Sequence, residues 1–345
     1  MGARPQFIKL APLARELAER LDHLIVHTGQ HYDDAMSTSF FNDLNIPRPD
    51  FHLEVGSGSH ALQTGEILKA TEEVLERVRP HGVVVFGDTN STLAGALAAV
   101  KMGIPTIHVE AGLRSFNRAM PEEINRVATD HISDVLLAPT KTAIENLRNE
   151  GLETISHLSG DIMVDALLGN LEIALSKSTV LESLGLDPGT YILTTLHRPY
   201  NVDDPSKLQR IMDLLRRVER RVVFPVHPRT AKMITGNDIA VGGNILLVPP
   251  QGYLDFLRLQ HGADRIVTDS GGIQKEAYIL NRPCITMRPE TEWVETVEAG
   301  SNILADPDNG DALAVIRSFT PRGDWPDIFG KDVAPRMAAL VETAI

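Results

Sequence analysis

Short apolar runs alternate with longer amphipathic stretches along most of the chain, and the apolar runs end in Gly, Asp, Pro, Thr or His. The first half has such runs within 23–31, 83–90, 106–112 and 135–140. The second half has them within 191–199, 221–229, 244–250, 265–272 and 283–289. Fully apolar runs are typical of strands in a parallel sheet that helices cover on both faces. The two series therefore predict an α/β protein with two doubly wound domains.

Helical stretches lie between these runs. The pattern predicts helices over 33–42, 91–102, 140–148 (capped by Thr140) and 161–184. We expect a first domain at 1–160, a second domain at 161–330, and a C-terminal helix at 331–345 that packs back on the first domain.

The first residues have the pattern of a strand-to-helix junction. Gly2–Pro12 (GARPQFIKLAP) contains a Gly turn and a helix that begins near Pro5. Only Met1 precedes it, so the strand that would lead into this helix is missing from the sequence. Either the chain continues before Met1, or the first domain lacks its central strand.

Composition excludes several classes of protein. The chain has 345 residues with 33 Lys and Arg against 46 Asp and Glu, a net charge of −13, which disfavours general nucleic-acid binding. Cys284 is the only cysteine, so an internal disulfide and a thiolate-rich metal site are excluded. The sequence shows no apolar run of membrane-spanning length and no signal-peptide pattern. We therefore expect a cytoplasmic, soluble protein that does not bind membranes.

Carboxylates follow two neighbouring strands of the first series. Asp88 and Glu110 each stand where an apolar run stops, and Glu122 and Glu123 follow Pro121, which favours a helix start. The carboxyl ends of the strands form the ligand crevice of an open α/β sheet. These carboxylates are therefore candidates for acid–base catalysis.

Positive groups and glycines suited to an anion occur in two other segments. Arg4 and Lys9 lie around the first Gly turn, which fits phosphate recognition, although for this segment alone solvated surface charge is the favoured interpretation. Ser270, Gly271 and Gly272 end a strand and open a helix, with Glu276 one turn later. This turn is either a phosphate cradle with a ribose-binding Glu276 or an ordinary βα turn, and the spacing alone leaves both open.

Two histidines, His197 and His227, end strands of the second series, where each suits a general acid, a base or a phosphate partner. Gly56–Ala61 (GSGSHA) fits the dinucleotide fingerprint only nominally, because the strand before it is short and polar; we expect Ser59 to cap a helix instead. Because that fingerprint fits so poorly, we expect no NAD. The histidines lack the spacing of metal ligands, so we expect no metal.

Taken together and in this order, the segments resemble the non-hydrolysing UDP-N-acetylglucosamine 2-epimerases. The matching segments are GARPQFIKLAP, TGQHYD, GDTNSTLAGALAA, HVEAGLRS, PEEINR, LHRPYNVDDP, VHPR, DSGGIQKEA and TEWVETVEAG. The resemblance implies two Rossmann-like domains in the GT-B arrangement, with an active site in the cleft between them. It also implies a homodimer, no cofactor, and interconversion of UDP-GlcNAc and UDP-ManNAc by elimination and re-addition of UDP.

The resemblance assigns roles residue by residue. The catalytic residues that it implies are Asp88, Glu110, Glu122 and His197. The residues that it implies for binding the UDP-sugar are Arg4, Lys9, Arg126, His227, Ser270, Gly271, Gly272 and Glu276. It does not decide which group removes the C2 proton and which one returns it.

Departures from the family pattern affect specificity. Tyr200 stands where many relatives have Glu, and RPETEWVE replaces the commoner RxxTERPE, which fits a subgroup that includes 2-epimerases of UDP-2,3-diacetamido-glucuronate. Tyr32, Asp33 and Asp34 differ from relatives that bind a regulatory substrate molecule, so we expect that regulation to be weak or absent. A glycosyltransferase of the same fold, a hydrolysing relative that releases ManNAc, and a binding protein without catalysis remain as alternatives.

Overall fold

The computed structural model describes residues 1–2, 4–30, 44, 46–308 and 310–345, with the side chains of Arg4 and Pro5 left out. The helix predicted over 33–42 and the residues Tyr32, Asp33 and Asp34 lie outside the described residues. The contacts divide the chain into two compact units. One contains Met1–Leu168 and Asp327–Ile345, and the other contains Gly169–Pro326.

The first unit contains two parallel sheets. The strands are β1 (Val26–His27), β2 (Phe51–His52), β3 (Val83–Phe86), β4 (Thr106–Val109), β5 (Val135–Ala138) and β6 (Ser156–Leu158). β1 pairs with β2 in one sheet, and the other sheet has the order β3-β4-β5-β6. Each strand of the larger sheet lies beside its neighbour in sequence, which is the arrangement that βαβ connections produce.

The helices of the first unit follow these strands. They are α1 (Arg4–Ala18), α2 (His60–Val78), α3 (Asn90–Lys101), α4 (Pro121–Ile132), α5 (Lys141–Asn149), α6 (Met163–Lys177, which ends in the second unit) and α15 (Val333–Ala344). Their starts follow from local chemistry. Thr89 and Thr92 form a capping box at α3, Pro121 opens α4, and Thr140 caps α5 by accepting from the amide of Ala143.

The second unit contains one parallel sheet of six strands. The strands are β7 (Tyr191–Thr195), β8 (Arg221–Pro225), β9 (Ile245–Val248), β10 (Arg265–Thr268), β11 (Cys284–Thr286) and β12 (Asn302–Leu304). Their order is β9-β8-β7-β10-β11-β12, so the chain reverses its direction of travel between β7 and β10. Doubly wound sheets bind ligands at this switch point, beyond the carboxyl ends of the strands.

Eight helices within the described part of the second unit connect and cover these strands. They are α7 (Val180–Leu184), α8 (Pro199–Val202), α9 (Pro205–Arg216), α10 (Pro228–Gly236), α11 (Tyr253–Gly262), α12 (Gly271–Ile279), α13 (Val294–Glu298) and α14 (Ala312–Ser318). Buried Leu208, Phe224 and Ile285 belong to one apolar cluster against the sheet, and Tyr191 and Leu259 belong to another.

The predicted fold class is confirmed, since the chain forms two α/β units with parallel sheets. Two local predictions differ from the structure. The run 23–31 forms only the two-residue strand β1, and the segment 161–184 divides into α6 and α7 around Ser178 and Thr179. Among the described residues, no helix combines the length and the apolar character that a bilayer crossing requires.

Candidate active site

Two carboxylates lie at adjacent strand ends of the first unit. Asp88 follows β3 after Gly87 (φ +67°), and Glu110 follows β4 with φ +71°. A non-glycine residue with this backbone conformation is strained, which marks Glu110 as a position held by its surroundings. The Glu110 side chain is only 7% exposed, and its Oε2 would lie 3.3 Å from a Cβ atom added at Gly87. The structure therefore brings these two predicted carboxylates together at the carboxyl ends of β3 and β4.

Each of these carboxylates contacts a cation. The Lys9 ammonium on α1 donates to Glu110 Oε2. The Arg126 guanidinium on α4 donates to Asp88 and also to Glu123 Oε2, at 2.6 Å for the latter. Asp88 remains 33% exposed, so it is open to a ligand. Lys9 and Arg126, which the resemblance assigns to the UDP-sugar, thus lie directly against the carboxylates.

Glu122 and Glu123 point in different directions on the first turn of α4. Glu122 is exposed, whereas Glu123 is buried and accepts hydrogen bonds from Ser115, from the Phe116 amide and from Arg126. Burial would raise the pKa of Glu123, but these donors outweigh it and lower the pKa. Glu123 therefore fixes the loop after β4 and orients Arg126, a function that the pattern PEEINR did not distinguish from that of its neighbour.

A buried cluster of charged side chains lies next to these strand ends. His108, inside β4, places Nδ1 2.6 Å from Asp130 and Nε2 2.7 Å from the Gly87 carbonyl oxygen. Both partners accept, so both ring nitrogens carry hydrogen and the ring is an imidazolium. Asp130 also accepts from Arg114 at 2.7 Å and from the Gly112 amide at 3.1 Å.

The charges within this cluster shift one another's pKa values. Burial alone would lower the pKa of His108, but the Asp130 carboxylate outweighs it and raises the pKa. Burial alone would raise the pKa of Asp130, but His108 and Arg114 lower it. The sequence signal for this cluster is a polar residue, His108, in the middle of a largely apolar strand.

In the second unit, His197 follows β7 and Asp269 follows β10, so both lie at the switch point. His197 Nδ1 lies 3.1 Å from Asp269 Oδ1, and Asp269 also accepts from the Arg198 amide and from Asn201. Asp269 is fully buried while the His197 side chain is 48% exposed. Burial would raise the pKa of Asp269, but His197 and the other donors lower it. Asp269 thus fixes the ring of His197 through Nδ1, a role that sequence reasoning missed.

The glycine turn Ser270–Gly272 lies beside this pair and opens α12. A Cβ atom added at Gly271 would come 1.9 Å from Glu292 Oε1, so Gly271 allows a close side-chain approach. Among the described residues, a Cβ atom added at Gly272 would meet only Ser270 Oγ within 4 Å, at 3.9 Å. The turn places two glycines at the N-terminus of α12, where the helix amides and the helix dipole favour an anion.

Glu276 lies one turn into α12 and accepts from Gln260 Nε2 at 2.7 Å. Burial raises its pKa, despite the opposing effect of Gln260. His227 caps α10 and accepts from the Arg229 amide at 3.3 Å, with its side chain exposed. The side chain of Arg4 lies outside the described residues.

The described residues contain no cluster of three or more His, Cys, Asp or Glu that could hold a metal ion. The first unit offers acids and bases at the carboxyl ends of β3 and β4, and the second unit offers a glycine turn beside an oriented histidine.

Known proteins resemble the chain over most of its length. A family model described as UDP-N-acetylglucosamine 2-epimerase matches residues 15–334. A UDP-N-acetylglucosamine 2-epimerase of Methanococcus maripaludis is 46% identical over 342 residues, covering 96% of this chain and 93% of the relative. A UDP-2,3-diacetamido-2,3-dideoxy-D-glucuronate 2-epimerase of Pseudomonas aeruginosa is 46% identical over 312 residues, covering 88% and 86%.

Solved structures are similar as well. The crystal structure of the UDP-GlcNAc 2-epimerase of Methanocaldococcus jannaschii in complex with UDP-GlcNAc and UDP has a TM-score of 0.85 and 42% identity, and the alignment covers 99% of this chain and 98% of that one.

Proposed function

The chain belongs to the UDP-N-acetylglucosamine 2-epimerase family, and from this premise we propose that it interconverts UDP-GlcNAc and UDP-ManNAc without a redox cofactor. The observation that carries the proposal is the pair Asp88 and Glu110, two carboxylates at adjacent strand ends with a cation against each. A glycosyltransferase would need the nucleotide-binding turn, but it has no need of this acid–base set.

The chemistry explains why such a set is required. The C2 proton of the sugar is not next to a carbonyl group, so its removal alone leaves no stable carbanion. In the proposed reaction the C2–H bond and the C1–O bond to UDP break together, and a C1=C2 double bond forms. UDP leaves with the electron pair of the C1–O bond. Re-addition of UDP with a proton delivered to the opposite face of C2 then inverts that centre.

We assign the proton transfers to the first unit, with Asp88, Glu110 and Glu122 as the acid–base candidates. Lys9 and Arg126 hold the first two carboxylates in position. The leaving diphosphate carries negative charge, so groups that bind it in the transition state accelerate its departure.

We assign the diphosphate to the second unit. The turn Ser270–Gly272 opens α12, whose N-terminus would bind the diphosphate. The ring of His197, oriented by Asp269, would bind a phosphate oxygen or transfer a proton. Arg4 and His227 complete the nucleotide side, and Glu276 binds the ribose hydroxyls. The protein is further proposed to act as a cytoplasmic homodimer.

A second substrate is supported by a departure from the family pattern and by a relative. Tyr200, which departs from the commoner Glu, donates its hydroxyl to the Met287 carbonyl oxygen at 2.5 Å, and Lys207 lies 4.6 Å above its ring. A UDP-2,3-diacetamido-glucuronate 2-epimerase is 46% identical to this chain. UDP-2,3-diacetamido-glucuronate is therefore the alternative sugar for the same reaction.

The decisive experiment is incubation of the protein with UDP-GlcNAc in D₂O, followed by NMR of the C2 position. We expect deuterium at C2 together with UDP-ManNAc. Free UDP with ManNAc would instead identify a hydrolysing enzyme. Binding without exchange would refute this substrate, and exchange with UDP-2,3-diacetamido-glucuronate would then identify the alternative.

Substitutions test the assigned roles. Asp88→Asn and Glu110→Gln should each reduce the exchange rate by about 10²–10⁴-fold, the usual contribution of a general acid or base, while UDP affinity is retained. Glu72→Gln, on the exposed face of α2, is the matched control and should leave the rate unchanged. Loss of UDP affinity in Asp88→Asn would contradict the division of roles between the two units.

A further inference from the structure

The loop after β4 contains an aromatic residue that the stability of the fold does not explain. Phe116 has φ +57°, in the left-handed region that favours glycine, and the residue is 78% exposed. A bulky residue with this backbone conformation is strained. Because the ring is exposed to water, its burial does not offset that strain. Glycine at this position would serve the fold as well as Phe116 does.

The strained backbone is held by one carboxylate. Glu123 Oε1 accepts from the Phe116 amide at 2.9 Å, and Glu123 Oε2 accepts from the Ser115 amide and the Ser115 hydroxyl, both at 2.9 Å. Glu123 is buried, so water competes little for these hydrogen bonds. The loop is therefore fixed in a conformation that leaves the Phe116 ring at the surface.

The same carboxylate connects this loop to the acid–base candidates. Glu123 Oε2 also accepts from Arg126 at 2.6 Å, and Arg126 donates to Asp88. Along the chain, the loop runs from Glu110 at the end of β4 to the start of α4. Phe116 therefore lies beside the groups to which we assign the proton transfers.

An exposed aromatic ring in this place suits one part of a UDP-sugar. The sugar ring presents C–H groups on its faces, and its acetamido group ends in a methyl group. An aromatic ring that covers such apolar surface gains free energy, because water leaves both. The diphosphate is anionic, and the face of an aromatic ring is itself negative, so the ring does not suit the diphosphate.

We propose that Phe116 is a specificity-determining residue that packs against the apolar C–H surface of the sugar in the bound UDP-sugar. The inference rests on the proposed function, which brings the sugar to the acid–base groups of the first unit. The hydrogen bonds from Glu123 hold the loop in place before the substrate binds, so little ordering is required on binding. The contact with the sugar then offsets the strain at Phe116.

Phe116→Gly separates a contact with the sugar from a role in folding. Glycine adopts the observed φ without strain and removes only an exposed ring, so Tm should change by no more than about 2 °C. The kcat/KM for C2 exchange with UDP-GlcNAc should fall by about 10-fold, the order expected when an apolar ring no longer covers the substrate. The inhibition constant of UDP, which lacks the sugar, should be unchanged. Phe116→Tyr keeps the ring and should retain the wild-type kcat/KM.

Leu24→Ala is the matched control. It removes an exposed apolar side chain before the amino end of β1, and should change neither kcat/KM nor the inhibition constant of UDP. An unchanged kcat/KM in Phe116→Gly would overturn the inference. Equal losses of kcat/KM and of UDP affinity would also overturn it, because the ring would then contact the nucleotide. A Tm for Phe116→Gly more than about 2 °C below that of the wild type would assign the ring to folding instead.

Failure of the proposed function would look different. The wild-type protein would then show no C2 exchange with UDP-GlcNAc or with UDP-2,3-diacetamido-glucuronate, whereas failure of the inference leaves wild-type exchange intact. If the wild-type protein exchanges only UDP-2,3-diacetamido-glucuronate, the same comparison of variants applies to that sugar, which also carries acetamido groups.

Discussion

Replacement of Asp130 by Asn tests the buried cluster that Asp130 forms with His108 and Arg114. Asp130 is fully buried and accepts from His108, Arg114 and the Gly112 amide, at 2.6, 2.7 and 3.1 Å. An Asn side chain has the same shape, but its amide nitrogen cannot accept, and it carries no charge to balance the two cations. Removal of one partner from a buried ion pair costs about 3–5 kcal/mol.

This cost sets the size of the expected effect. For a unit of roughly 150–250 residues, 1 kcal/mol corresponds to about 2–4 °C in Tm. Asp130→Asn should therefore lower the Tm of the first unit by about 6–20 °C, measured by calorimetry. Since His108 also holds the Gly87 carbonyl next to Asp88, the C2 exchange rate should fall even at temperatures where the variant is folded.

The control is Glu145→Gln, which removes a carboxylate from the exposed face of α5. Surface substitutions of this kind stay within about ±0.5 kcal/mol, so its Tm should change by no more than about 2 °C. A Tm for Asp130→Asn that matches that of Glu145→Gln would refute the argument, because it would mean that the cluster contributes no net stability through the carboxylate.

Three further predictions follow from the same structure. The lowered pKa of Asp130 means that its stabilising effect is present at neutral pH and is lost as the pH falls through that pKa. The raised pKa of His108 means that its stabilising effect is present below about pH 6.5 and is lost as the pH rises through the raised pKa. Denaturant titrations from pH 3 to 10 should show both losses of stability in the native protein, and Asp130→Asn should lack the one at acidic pH. Gly112→Ala should lower the free energy of unfolding by at least about 3 kcal/mol, and clearly more than Gly103→Ala. Both glycines have φ above +60°, but only at Gly112 would an added Cβ meet a backbone oxygen, that of Ala143 at 2.4 Å. Equal losses of stability would contradict a role for that contact. Glu276→Gln should weaken UDP binding by about 10–100-fold, the value of a hydrogen bond to a charged group, without changing Tm by more than the Glu145→Gln control, and unchanged calorimetric affinity would remove Glu276 from the ribose site.

The strands that the sequence predicted well are those buried on both faces. β3, β4, β7 and β10 lie in short runs dominated by apolar and β-branched residues, and Gly, Asp, Glu or His follows each run, so the sequence predicted both the strand and its functional end. β1 was predicted as part of a longer run and is only two residues long. In the described part of the chain, β1 pairs with β2 alone, so few backbone partners hold it.

The site was harder to predict where direction matters. Glu122 and Glu123 are neighbours in the sequence, but a helix turns by about 100° per residue, so one is exposed and the other is buried against the loop after β4. The roles of His108 and Asp269 depend on partners far away in sequence, at Asp130 and His197. No local pattern specifies such pairs, because they arise from the order in which the strands assemble.

The two units place different functional groups at the carboxyl ends of their strands. In the second unit, the switch point between β7 and β10 brings His197 to the N-terminus of α12, which suits a negative leaving group. In the first unit, α1 carries Lys9 to Glu110 at the carboxyl end of β4, so a cation lies against an acid–base candidate. Met1, just before α1, is held to β1, because its amino group donates to the Val26 carbonyl oxygen and the Thr28 amide donates to its carbonyl oxygen. These hydrogen bonds connect the small sheet to the helix that holds Glu110, and so to the geometry of the acid–base pair.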